Sequence, residues 1–232
     1  MKSKLKKNKD IVVCIVAHPD DEALGVGGTL IKHAKRGDDV YIIIMSEGES
    51  AKSNIKDLNQ KRKIAAKKWA DYTGCILYRH YDLPDQKFDT ISRLETIKIL
   101  ESDLLKIKPD IVYTHHPNDL NIDHKITSEI ALTALRPMSK VHSCRTILSI
   151  EIPSSSDQAP QMDTFIFCPN HYVSIKDVWD IKKDSLKFYK KELRKSPHPR
   201  SIKSINSLAI KRGAESGLEK AEAFTILRNI IK

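Results

Sequence analysis

The chain has no CxxC pair among its four cysteines, Cys14, Cys75, Cys144 and Cys168. That absence excludes a zinc ribbon and a thioredoxin-like redox motif. No apolar run approaches the roughly 18–20 residues of a membrane helix, so no membrane span is expected. Behind the basic start MKSKLKKNKD, the apolar stretch covers only residues 11–17 before His-Pro-Asp-Asp-Glu begins. That is too short for a signal peptide. The expectation is a cytoplasmic protein, with Cys14 and Cys75 as reduced core residues. Neither an internal repeat nor a low-complexity block interrupts the chain.

What is present describes one globular domain. The chain has 232 residues, 40% hydrophobic and 30% charged, enough to bury a core. Residues 1–9 read as a basic tail and 10–232 as the domain. The net charge of +10 is local. Residues 1–10 contribute +4, residues 182–212 contribute +9, and the remainder is −3. Such a basic segment suits an anionic partner, for instance a phosphorylated substrate carrier, or is a solvated helical face. Phe188 and Tyr189 are its aromatics, too few for a single-strand stacking platform, so no nucleic acid is expected.

Apolar runs alternate with helix-length segments. Strands are predicted over 10–17, 40–46, 75–81 and 110–116, and helices over 21–36, 57–72, 89–107 and 123–136. Strands apolar on both faces, alternating with helices, indicate an α/β fold. The expected architecture is a Rossmann-like, mostly parallel sheet of order 3-2-1-4-5 with helices on both faces. Further on, 145–152, 164–168 and 171–175 read as strands and 154–162 as a loop. Residues 176–194 read as a helix, 196–201 as a turn, and 218–231 as an amphipathic C-terminal helix.

The chemistry sits at two strand ends. The first strand runs into Ala17-His18-Pro19-Asp20-Asp21-Glu22, and the fourth into His115-His116-Pro117-Asn118-Asp119-Leu120-Asn121-Ile122-Asp123-His124. In a 3-2-1-4 sheet these strands are neighbours, and their carboxyl ends form the crevice where open α/β folds bind ligands. His and Asp are ligands of catalytic zinc, which keeps one position for water. His18 and Asp21 can point the same way on a turn entering a helix, and His124 can supply a third ligand. Asp20 is then placed to take a proton from water whose pKa the metal has lowered. Helix capping alone would explain acids at a helix start, but not His18 or the matching His/Asp cluster. Gly25, Gly27 and Gly28 fall inside the helix rather than in the turn a dinucleotide needs. They are read as permitting close helix–sheet packing.

AHPDDE joined to the P-x-D-x-N-x-D-H cluster resembles the PIG-L/LmbE family of zinc-dependent N-acetylglucosamine deacetylases. FDTI (88–91), EIPSS (151–155), PHPRS (197–201), Arg212-Gly213 and AEAF (221–224) resemble a bacterial branch of it, in the same order. The resemblance implies His18, Asp21 and His124 as metal ligands, Asp20 as general base, and hydrolysis of an acetamido group on an amino sugar. Where the family carries a further histidine, this chain has Asn121. His116 or His198 then becomes the candidate to stabilise the oxyanion or protonate the amine, and Asp123 the candidate to orient a histidine or a ligand. Arg62 matches a family arginine that approaches substrate, although Ala65 replaces the usual glutamate. Arg200 is a candidate to hold a phosphate.

The expected activity is therefore a zinc-dependent N-deacetylase on an amino sugar, either free or nucleotide- or lipid-linked. Two rivals are carried: an amidase or esterase on a non-sugar acyl group, and a basic anion-binding module. A His2Asp site also accepts Fe2+ or Co2+. The oligomeric state is left open, a homo-oligomer included.

Overall fold

The computed structural model describes residues 9–46, 55–141, 143–160, 162 and 166–231. In chain order the elements are β1 (Ile11–Val16), α1 (Asp21–Gly25), α2 (Gly27–Arg36), β2 (Asp39–Ser46), α3 (Ile55–Thr73), β3 (Ile76–Leu83), α4 (Arg93–Ile107), β4 (Ile111–His115), α5 (Ile122–Ala134), β5 (Thr146–Ile150), β6 (His171–Ser174), α6 (Trp179–Ser185), α7 (Ile202–Ala214) and β7 (Ala221–Asn229). Among the described residues one sheet forms, ordered β3-β2-β1-β4-β5-β7-β6. The first five strands in that order are mutually parallel, and β7 runs antiparallel to β5 and β6. The expected 3-2-1-4-5 order is thus the larger part of a wider sheet.

The sequence pattern of β1 shows why helices cover both faces. Val12, Cys14 and Val16 enter one core with Leu30 of α2, Trp69 of α3 and Leu186. Val13 and Ile15 enter the other with Leu100 of α4 and Ile130 of α5. A strand apolar at every position must be covered twice. The four cysteines are free thiols, and Cys14 and Cys75 are buried. No described helix is long and apolar enough to cross a membrane.

The expected helix over 21–36 is two helices, α1 and α2, joined at Val26. Their glycines sit against other elements. A Cβ on Gly25 would lie 2.7 Å from Ile152, and one on Gly28 would lie 2.7 Å from Ile175. The close-packing reading of these glycines therefore has a direct steric basis.

The C-terminal half requires three corrections. Residues 221–229 form the strand β7, not a helix. Their backbone pairs on both sides, with β5 and with β6, and this non-local ladder overrides a helix-like apolar spacing. Residues 176–194 hold only the short α6 with 3-10 turns on either side (Lys176–Val178 and Leu186–Tyr189). In the segment 164–168, Ile166, Phe167 and Cys168 lie in irregular chain, and 164–165 lie outside the described residues. Residues 1–8 of the expected tail also lie outside them.

Candidate active site

Adjacency of β1 and β4 brings the two polar clusters to one sheet edge. His18 follows β1, and Asp21 opens α1. The turn between them passes through Asp20 at φ 128°, a region that non-glycine residues rarely occupy. Such a backbone costs on the order of 1–3 kcal/mol and persists where the surroundings enforce it. The His18 N–H donates to Asp21 Oδ2 at 2.9 Å, closing the turn. From the other cluster, α5 begins under an Asn121 cap that accepts the Asp123 N–H at 2.9 Å. That start sets His124 on the first turn, facing the β1 loop.

Three ligand-type atoms meet there. His18 Nδ1 lies 3.2 Å from His124 Nε2 and 3.3 Å from Asp21 Oδ2, and His124 Nε2 lies 3.3 Å from the same oxygen. All three residues are buried. Each remaining imidazole nitrogen has its own carboxylate. His18 Nε2 lies 3.0 Å from Asp85 and 3.2 Å from Asp123, and His124 Nδ1 lies 3.2 Å from Asp119. Those carboxylates are anchored in turn. Asp123 accepts the Gln86 and Phe88 N–H groups, and Asp119 accepts the Ser155 and Ser156 hydroxyls. Carboxylates behind histidine ligands fix ring orientation and tautomer.

The electrostatics calls for positive charge. Burial works against an imidazolium at His18, yet Asp123, Asp21 and Asp85 outweigh it and raise its pKa well above the ordinary value. His124 is raised in the same way, against burial, by Asp21 and Asp119. Asp21 is held well below the usual carboxylate range, against burial, by His124 and His115. Its second oxygen, Oδ1, is buried and makes no hydrogen bond. Two imidazole nitrogens and a carboxylate converging on one point, with an orphaned carboxylate oxygen beside them, fit a divalent metal. A second group, His18, Asp85 and Asp123, shares His18 and is its supporting shell.

His115, Asp119 and Asp85 lie against this cluster, and the sequence reading did not single them out. His115 is fully buried at the end of β4, stacked on His124 with ring centroids 3.9 Å apart and 13° between planes. Its Nε2 accepts the Ala17 N–H at 2.8 Å, which commits that lone pair to the backbone. Burial and the neighbouring His124 lower its pKa to about 4. Asp119 lies in the quoted cluster, and Asp85 follows β3 at the same sheet edge. Position at a strand's carboxyl end was the available signal for all three.

Asp20 is 2% exposed and stands outside the three-ligand cluster. Burial raises its pKa to about 6, with Arg200 opposing and Asp21 assisting. Arg200 donates from Nη1 to Asp20 at 2.9 Å and from Nε to Ser154 at 2.8 Å. His198 is exposed, and its Nδ1 accepts the Arg200 N–H, which ties it to the turn that carries Arg200. His116 is buried and packs edge-on against Phe167, with centroids 5.4 Å apart. The Asn121 side-chain oxygen is engaged as the helix cap. Arg62 pairs with Glu192 at 2.8 Å. Both line a pocket of about 230 Å³ with Lys61, Tyr189, Lys190 and Lys191. The Tyr189 hydroxyl, in turn, donates to the buried Glu22.

Comparison with known proteins identifies the family and the fold. An uncharacterized deacetylase, YaiS, of Escherichia coli is 30% identical over 196 residues, covering 81% of this chain and 94% of that protein. The N,N'-diacetylchitobiose deacetylase of Pyrococcus horikoshii shares the fold, with a TM-score of 0.74 at 22% identity, over 94% of this chain and 83% of that one. So does a 4-carboxy-2-hydroxymuconate hydratase of Pseudomonas putida, with a TM-score of 0.76 at 19% identity, over 97% and 98%. The fold alone therefore hosts more than one chemistry. The profile described as GlcNAc-PI de-N-acetylase matches residues 13–135, which contain both strand-end clusters, and on that match together with the YaiS likeness the chain belongs to the PIG-L family.

Proposed function

We propose that this chain is a metal-dependent hydrolase that removes the acetyl group from an N-acetylated amino sugar. The observation that carries the reading is the buried triangle of His18, Asp21 and His124, with sides of 3.2–3.3 Å, beside a carboxylate left outside it. Those three residues would hold the metal, and two nitrogens with one oxygen suit Zn2+, with Fe2+ or Co2+ as other candidates. Bound there, a divalent ion supplies Lewis acidity toward an amide carbonyl and acidifies water.

The chain's own groups do the rest. Asp20 takes the proton from the attacking water, whose oxygen bonds to the acetamido carbon. The C–N bond then breaks as a protonated histidine gives its proton to the departing nitrogen, and the proton taken from water restores that histidine, giving acetate and a free amine. Arg200 holds Asp20 in place through its 2.9 Å hydrogen bond. Of the two histidines considered for protonating the amine, His116 is assigned the task. It is buried directly after His115, whereas His198 is exposed and engaged on the Arg200 backbone. Asp123 and Asp119 orient His18 and His124. Asn121 and Arg62 are assigned to substrate binding, and the basic pocket of Arg62, Lys190 and Lys191 to a phosphorylated carrier where the substrate has one. Residues 10–232 act as one catalytic domain behind the tail 1–9.

The test is acetate release from N-acetylglucosamine conjugates, with simple acetanilides and acetate esters in parallel, before and after chelation and metal return. The reading expects release from the sugars that stops on chelation and resumes with metal. Release from anilides or esters alone points to the amidase or esterase alternative. Sugar turnover indifferent to chelation contradicts the metal role.

A further inference from the structure

A cavity of about 510 Å³ lies away from this chemistry. It is lined by Ile111 and Thr146, which begin β4 and β5, and by Asp10, which precedes β1. His115 of the site is at the opposite end of β4, four residues and about 13 Å away at strand rise. The cavity opens between α2 and the sheet face that α2 shares with β4, β5, β7 and β6. Leu148, Val173 and Ile226 give it an apolar wall. Its rim is cationic on both banks, with Lys32 and Arg36 on α2 and Arg145 on the approach to β5.

That rim already holds one carboxylate. Asp10 accepts from Arg36 Nη2 at 3.0 Å through one oxygen, and from Arg145 Nη2 at 2.5 Å through the other. Each guanidinium carries five N–H donors; Asp10 takes one from each, and Arg36 also donates from Nε and Nη2 to the buried Asp38. Lys32 adds a third cation on the α2 bank, tied to the Ser174 carbonyl and to Asp177. Exposed ion pairs such as these contribute little in water and exchange partners at low cost. Each of the three cations has a carboxylate partner, and the two guanidiniums carry more N–H donors than the bonds to Asp10 and Asp38 use.

We infer that this cavity is a second ligand site, which takes a small carboxylate with an apolar body. A body of about six to ten carbons suits a cavity of this size, since small-molecule pockets run about 300–1,000 Å³ with apolar walls and a few polar anchors. The carboxylate sits between Arg36 and Arg145, and the body lies along Leu148, Val173 and Ile226. The inference does not depend on the deacetylase reading, because none of these residues belongs to the proposed catalytic machinery.

Titration calorimetry on the full, metal-loaded chain tests it, with octanoate, acetate and 1-octanol as probes. Octanoate is expected to bind at one site per chain. The alcohol lacks the charge and is expected to bind at least about tenfold more weakly, the value of one charge-assisted hydrogen bond. Acetate lacks the body, reports any carboxylate binding at the metal, and is expected to be weaker still. Ile226→Trp fills the cavity, and the double variant Arg36→Gln/Arg145→Gln removes the clamp. Each is expected to weaken octanoate about tenfold or more, with metal content unchanged. Thermal melts check folding; if Ile226→Trp does not fold, the arginine variant decides. Octanoate affinity that is unchanged in the folded variants, or matched by acetate or octanol, overturns the inference.

Discussion

Two buried polar clusters stand at helix starts in this protein, and they are built to opposite rules. At α2, the Glu222 carboxylate accepts from the Gly28 and Thr29 N–H groups, the Thr29 hydroxyl and Lys182 Nζ, at 2.6–2.8 Å. Lys182, 3% exposed, also donates to the Leu24 carbonyl. One anion meets one cation, and every oxygen is used. At α1, Asp21 opens a cluster in which four carboxylates surround His18 and His124, and a buried oxygen of Asp21 has no hydrogen bond. A closed cluster of this kind holds the fold together. An overcharged cluster, in which a buried carboxylate oxygen is left without a hydrogen bond, suits a cation.

The sharpest way to break the contrast is at Asp20. Asp20→Asn is expected to keep the metal and lose about 10²–10⁴-fold in turnover, the usual worth of a general base. Metal content and acetate release on the same sample check this, and wild-type turnover would end the assignment. The closed cluster predicts the opposite phenotype. Glu222→Gln leaves Lys182 buried beside a neutral partner and is expected to cost about 3–5 kcal/mol of stability. Denaturant melts read that loss, with turnover per folded molecule unchanged.

A third histidine sharpens the comparison. His80 of β3 is half-buried and bonds the Ser46 carbonyl at 2.7 Å, with Lys63 and Arg62 among its charged neighbours. Burial lowers its pKa to about 4, opposite in direction to His18 and His124, which carboxylates support. The unfolded chain takes a proton at His80 near pH 6.5, which the folded chain refuses until about 4. Its contribution is therefore full above pH 6.5 and lost as pH falls from there toward 4. The loss is at most about 3 kcal/mol at 1.36 kcal/mol per unit. Melts of the wild type and His80→Gln between pH 7 and 4 are expected to converge at acid pH. Parallel curves would contradict the assignment.

The smallest effect is expected at His115. His115→Leu removes the acceptor of the Ala17 N–H and the ring that stacks on His124. Metal affinity is expected to fall about 10–100-fold, as for other partners of metal ligands. Competition with a chelating indicator measures it, and an unchanged affinity would make His115 simple packing.

These regions also differ in how far the sequence discloses them. The parallel half was legible because its signals are local. Examples are the β-branched run of β1 and the turn residues after β1 and β4. The three residues of the triangle come from motifs readable in a single pass. β7 was not legible, because Ala221–Asn229 becomes a strand only when β5 and β6 flank it. Its Glu222, an acid among Ala221, Ala223 and Phe224, is explained only by α2, 193 residues earlier. Asp85 and Asp119 were passed over for a related reason. They touch no substrate-facing position in sequence, and their role is visible only once the rings they hold are in place.

The central claim is that His18, Asp21 and His124 hold one divalent ion. Elemental analysis of the purified chain, the His124→Ala variant and the Glu222→Gln variant, after dialysis against Zn2+, tests it directly. The account predicts about one equivalent in the wild type and Glu222→Gln and almost none in His124→Ala, the cost of losing one of three protein ligands. Full occupancy in a folded His124→Ala chain would contradict it.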